Sequence, residues 1–239
     1  MTPYLWFLSL APVMVIIYLF YVKDTKKEPL KTILIAFGAG VLAVLPSYFI
    51  ELTMTSWENI AAQAFIQASL TEETIKILFF MLFIFWNKEF DDIFDAIFYS
   101  TVISLGFAAA ENVIYALAFG EQIWSRSFTA VPGHACFAVF WGYFLIQSKI
   151  NYLKTNKISS IIPGILKGLA VSVIVHGLYD IIAITTNLTI ILIFTTILNI
   201  IVILITLKIS KNDRPFTDFV TPHDETMSEK KSTKNQSIE

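Results

Sequence analysis

Cysteine occurs once in the 239 residues, at Cys136, so the chain can form neither an intramolecular disulfide nor a cysteine-built zinc site. Charge is scarce too: charged residues make up 15% of the chain against 56% hydrophobic. A soluble domain of this length needs more charge to cover its surface. Lys plus Arg is 17 and Asp plus Glu is 19, a near-balance that excludes a broad nucleic-acid-binding surface. No charge precedes Lys23, whereas a secretory signal peptide puts positive charge ahead of its apolar stretch. Residues 3–22 are also long enough to span, and read as an uncleaved first helix. No HExxH helix and no G-x-S-x-G elbow occurs, so neither a zinc-protease helix nor a serine nucleophile is signalled.

What the chain does have is long apolar runs. Seven segments approach the roughly 20 residues that a membrane-crossing helix needs: 3–22, 32–50, 60–86, 93–119, 133–147, 161–183 and 188–208. The expected fold is all-α, a polytopic membrane bundle of about seven transmembrane helices. Its membrane domain would cover residues 1–208 and a disordered cytoplasmic tail residues 209–239, where charge is mixed and no apolar period is visible. Lysines collect in alternate loops: Lys23, Lys26, Lys27 and Lys31 in the first, Lys88 in the third, Lys149, Lys154 and Lys157 in the fifth, and six basic residues from Lys208 onward. The intervening loops and the amino terminus carry only Arg126. An odd number of spans satisfies this split, with the amino terminus outside and the carboxyl terminus cytoplasmic.

Against that background, several ionisable residues fall inside the expected spans. Glu72, Glu73 and Lys76 lie on the third, Glu111 on the fourth, and His176 and Asp180 on the sixth; His134 sits at the outer end of the fifth. Each costs roughly 2.5–3.5 kcal/mol in the bilayer on insertion scales unless it meets a partner, so they are expected to face one another, water or protein. With alternating helix directions, all of them come to one level in the outer half of the membrane. Small-residue stripes lead to them: Gly164, Gly168, Ser172, His176 and Asp180 on the sixth helix, and Ala64, Ala68, Glu72 and Lys76 on the third. Such stripes let membrane helices approach closely.

Blander readings cover the other charges. Lys167 snorkels, Glu51, Glu58 and Glu121 are interfacial, Asp91, Asp92 and Asp95 complement a helix dipole, and Cys136 packs. The cluster itself could be a structural knot, could activate a water by general-base catalysis, could bind zinc, or could relay protons. A zinc set would be His134, His176 and Glu72.

The motifs narrow this. Glu72-Glu73-Thr74-Ile75-Lys76 resembles the EExxK motif of PrsW-type intramembrane proteases, and Gly106 to Asn112 resembles their second motif. His134 with Gly142, and His176-Gly177-Leu178-Tyr179-Asp180, are similar to the third and fourth. The likeness runs in helix order over about residues 1–208. That family is similar in turn to the CAAX-type glutamate proteases, with three departures: Lys76 stands one residue before their arginine, Glu111 takes the place of a histidine, and Asp180 that of an asparagine. The resemblance implies cleavage of a single-pass membrane protein, such as an anti-sigma factor, near its extracytoplasmic boundary. On this reading Glu72 is the general base and His134 orients the water. His176 donates to the oxyanion, positioned by Asp180 and Asn112, while Glu73 pairs with Lys76 and Glu111 either holds the proton-transfer network or orients a histidine. No cofactor is favoured, with zinc as the metal alternative. A non-catalytic scaffold or a proton-linked transporter is the reading from another class.

Overall fold

The helix expected at 93–119 is the hub of the bundle, because its sequence offers no polar face between Phe94 and Ala110 beyond small hydroxyls and Asp95. A helix that is apolar all round has to be enclosed. The computed structural model describes residues 2–54, 58–120 and 123–220. In it α1 (Pro3–Lys23), α2 (Leu30–Thr53), α3 (Ile60–Ala62), α4 (Thr71–Phe83), α5 (Ile93–Phe119), α6 (Ile123–Thr155), α7 (Ile162–Thr185) and α8 (Leu188–Lys211) follow one another, and α3 runs into α4 through a π-helix, Gln63–Leu70. Every α5 residue from Ile93 to Ala109 is buried. Helices α1, α2 and α6 pack around α5, and α7 and α8 extend the bundle beyond α6.

The protein is an all-α membrane bundle. Among the described residues six helices are long and apolar enough to cross a bilayer, and the α3–π–α4 run makes the seventh element. Large apolar side chains such as Phe7, Leu45, Phe49 and Leu204 stand exposed on the periphery, where lipid rather than water satisfies them. Close approach rests on glycine. A Cβ on Gly40 would lie 1.9 Å from the Ile103 carbonyl oxygen, and one on Gly106 would lie 2.3 Å from that of Phe37, so α2 and α5 touch backbone to backbone. The ridge Gly164, Gly168, Ser172 and His176 is buried as its spacing predicts, with Gly168 against Trp141 of α6.

Three details differ from the sequence reading. The fifth span is not 133–147 but 33 residues long, because polar residues around Arg126 hide a helix that continues through Pro132. The third span holds the π-helix, so its buried line runs Ala64, Ser69, Glu73, Lys76 and Phe80; of the expected stripe Ala64, Ala68, Glu72 and Lys76, Ala68 is no longer buried, and Glu72 sits beside the line at the cavity. Ser69 and Thr71 hydroxyls bond the carbonyls five residues back, Ala64 and Ile66, as the wider turn allows. Third, order continues past residue 209: α8 reaches Lys211, Phe216 is 1% exposed, and Asp213 accepts from the amide of Phe94 at 3.1 Å. The remainder of the expected tail, 221–239, and Glu121 lie outside the described residues.

Candidate active site

Five elements deliver polar side chains to one end of the bundle. α4 follows the π-helix and carries Glu72, Glu73 and Lys76 in its first turns. The late part of α5 carries Glu111 and Asn112, the early part of α6 carries Arg126 and His134, and the late part of α7 carries His176 and Asp180. Alternating helix directions put all of these near one level, as the sequence reading required. A cavity of about 870 Å³ opens among them, lined by Glu72, Glu111, Arg126, His134, His176 and Asp180, with Glu51 of α2 joining the rim.

Lys76 is the centre of the cluster and is fully buried. Its ammonium stands 2.9 Å from Glu72 Oε2, 2.9 Å from Glu73 Oε1 and 3.1 Å from His134 Nδ1, and lies over the Phe107 ring at 4.2 Å. A lysine ammonium has three N–H groups and no lone pair, so these contacts use all three. They also settle a tautomer: Nδ1 of His134 accepts, so its proton is on Nε2, which donates to Glu111 Oε2 at 2.9 Å. Arg126 closes the chain, 2.8 Å from the same Glu111 oxygen, with its Nε donating to Asn112 Oδ1 at 3.3 Å.

A second branch leaves Glu73. The Nδ1 of His176 donates to Glu73 Oε1 at 2.9 Å, and Phe137 stacks on the imidazole at 4.4 Å between centroids. Nε2 of His176 is 3.6 Å from Asp180 Oδ2, too long for a hydrogen bond. The ring is thus fixed from one side by a buried carboxylate and presents its other nitrogen near the cavity and Asp180.

The two glutamates differ in kind. Glu73 is 0% exposed, bridges Lys76 and His176, and does not line the cavity; Glu72 is 6% exposed and does. A metal could ask for one donor atom each from Glu72, Glu73 and His176, which lie within 4.8 Å of one another. The Lys76 ammonium already binds both carboxylates of that set, and His134, expected as a zinc ligand, turns its nitrogens to Lys76 and Glu111. In this arrangement the ammonium takes one oxygen from each of the two carboxylates and leaves His176 to Glu73.

The family model described as PrsW family intramembrane metalloprotease matches residues 28–207. The chain belongs to the PrsW family. It is an intramembrane protease by that membership, and multi-pass by its six apolar helices. Proteins named Protease PrsW are similar to it: one from Oceanobacillus iheyensis is 36% identical over 168 residues, 67% of this chain and 78% of that protein. Another from Geobacillus kaustophilus is 36% identical over 181 residues, 72% of this chain and 76% of the relative. A third, from Bacillus subtilis, is 30% identical over 178 residues, 72% of this chain and 79% of the relative. No solved structure matches the chain.

All eight residues singled out from the sequence meet in this PrsW-family cluster, but two expected roles do not fit. Asn112 accepts from Arg126 and does not position His176, which Glu73 holds instead. His134 has no ring nitrogen left to orient a water, since Lys76 and Glu111 engage both. Sequence reasoning missed Arg126, which entered only as the lone basic residue of the outer loops, and Glu51, read as interfacial. The signal for Arg126 was Glu111 itself, a membrane carboxylate without an assigned cation.

Proposed function

We propose that this PrsW-family protein cleaves a single-pass membrane protein, of the anti-sigma factor kind, near the extracytoplasmic boundary of the bilayer, with Glu72 as general base. The observation that carries the reading is the division between the two glutamates: Glu72 meets the cavity, and Glu73 is sealed behind it. A water in the cavity gives a proton to Glu72 as its oxygen adds to the scissile carbonyl carbon. His176, held at Nδ1 by Glu73, donates from Nε2 to the developing oxyanion, its charge balanced by Asp180. Glu72 then passes its proton to the amine nitrogen as the C–N bond breaks. Lys76, His134, Glu111 and Arg126 form the buttress that holds Glu72 in place. Every step in this reading uses the chain's own groups, and the Lys76 contacts to one oxygen of each glutamate support it.

The orientation, amino terminus outside and carboxyl terminus cytoplasmic, is supported by the lysines of the alternate loops. The cavity then opens in the outer half, the level a cut near the extracytoplasmic boundary needs. The test is purified full-length protein in proteoliposomes with a single-pass anti-sigma factor as substrate. Mass spectrometry of the fragments should place the cut at the extracytoplasmic end of the substrate's span. A cut at the cytoplasmic end, or normal cutting by Glu72→Gln, overturns the reading.

A further inference from the structure

At the opposite end of the bundle, a second set of acidic groups is buried and takes no part in the site above. Asp24 caps α1, Glu28 lies in the following loop, and Asp95 is in the first turn of α5. Their residues are 3%, 3% and 0% exposed. One oxygen of each is committed: Asp24 Oδ1 accepts from the Lys26 amide at 2.9 Å, Glu28 Oε2 from the Tyr99 hydroxyl, and Asp95 Oδ2 from the amides of Asp91 and Asp92 at 2.9 and 3.0 Å.

The other oxygen of each, Asp24 Oδ2, Glu28 Oε1 and Asp95 Oδ1, is buried without a hydrogen-bond partner among the described residues. Three orphaned carboxylate oxygens in one place are a large desolvation cost unless something positive meets them. The three side chains bring donor oxygens within 4.8 Å of one another. No ammonium among the described residues does the job. Lys26 pairs with Asp91, Lys27 bonds the carbonyls of Tyr21 and Asp24, and Lys149 bonds the carbonyl of Phe85. Asp92 and Asp213 add further negative charge beside Asp24.

We propose that Asp24, Glu28 and Asp95 form a site for a hard divalent cation, Ca²⁺, Mg²⁺ or Mn²⁺, that ties the first loop to the start of α5. Oxygen-only ligation by carboxylates selects this class over zinc or copper, which favour imidazole and thiolate. Water completes the coordination sphere, and the ion supplies the positive charge that three orphaned oxygens require. On the orientation proposed above, the site faces the cytoplasm; the binding itself does not depend on that orientation.

The experiment uses full-length protein in detergent, stripped with EDTA and titrated with Mn²⁺ under electron paramagnetic resonance. About one Mn²⁺ per chain should bind and be displaced by Ca²⁺ or Mg²⁺, and the thermal midpoint should rise with the same ions. Asp24→Asn and Glu28→Gln should each weaken binding by at least about tenfold, the loss expected when one of three charged ligands is neutralised. Glu72→Gln should bind Mn²⁺ as the wild type does, which separates this site from the protease cavity. Since wild-type titration needs no variant to fold, absence of bound Mn²⁺ overturns the proposal directly. Binding that survives Asp24→Asn but disappears in Glu72→Gln does so as well. A midpoint that falls as pH rises, with no recovery on adding cation, assigns protons rather than a metal to the cluster.

Discussion

Lys76 Nζ lies 3.1 Å from His134 Nδ1, so a cation on α4 dictates which nitrogen of an α6 histidine carries the proton. The same ammonium neutralises Glu72 and Glu73. Removing it leaves two carboxylates facing each other in a fully buried position and frees His134 to take either tautomer. Breaking a buried pair by deleting one partner costs roughly 3–5 kcal/mol. Lys76→Met is therefore expected to lower the amount of folded protein in membranes sharply. The measurement is membrane abundance with thermal stability in detergent. A variant that accumulates normally and melts at the wild-type temperature shows that Lys76 does not hold the cluster.

The two glutamates should separate in a paired experiment. Glu72→Gln keeps size and one hydrogen bond to Lys76 but cannot take a proton. It should lose ~10²–10⁴-fold in cleavage, the usual worth of a general base, with little change in melting temperature. Glu73→Gln should lose both activity and stability, because its carboxylate bridges Lys76 and His176 at full burial. Cleavage is to be normalised to folded protease. Equal effects of the two changes on stability and on rate argue against the division of labour.

Chelation should split stability from chemistry. EDTA is expected to lower the melting temperature by emptying the Asp24–Glu28–Asp95 cluster, while cleavage per folded molecule stays near its untreated value. Metal analysis of the purified protein, with assays before and after stripping, checks both halves. Activity lost on stripping and restored by zinc alone makes the enzyme a zinc protease and displaces the ammonium-centred description of the site.

The α2–α5 contact gives a prediction about folding. Gly40→Ala places a methyl 1.9 Å from a backbone oxygen of Ile103, and no side chain is there to give way. The helices must move apart, and overpacking of this kind costs typically ~1–3 kcal/mol. Gly38→Ala is the control, since its added methyl meets nothing within 4 Å. Thermal stability of the two variants in the same detergent is the comparison, and similar melting temperatures count against backbone contact at Gly40.

Much of this architecture was legible beforehand because bilayer thickness imposes segment length and the cost of buried charge singles out the site residues. The ridge Gly164, Gly168, Ser172 and His176 needed only a 3.6-residue period to be found. Legibility failed where local geometry departs from that period. The sequence stripe through Ala68 and Glu72 assumes an unbroken α-helix, whereas the π-helix moves Ser69 and Glu73 onto the buried line. Glu72 remains the favoured base, but because it meets the cavity and not because it continues a stripe. Arg126 was obscured by its polar neighbours, which resemble a loop in composition yet belong to a helix of 33 residues. Asp92 and Asp95 do serve the start of α5, in a capping box, but the meeting of Asp95 with Asp24 and Glu28 was hidden by their distance in sequence.

The π-helix Gln63–Leu70 also decides what a change of length at this point does to the span. Each residue of an α-helix turns the chain by about 100°, so losing one residue from this stretch would let it relax to ordinary α geometry and swing Ala64 and the start of the span around the axis. Glu72, Glu73 and Lys76, being downstream, would keep their mutual spacing. An insertion or deletion here is consequently a change of rotation more than of length, and an alignment that counts residues across it without allowing a gap will pair cavity-facing positions of one protein with buried positions of another.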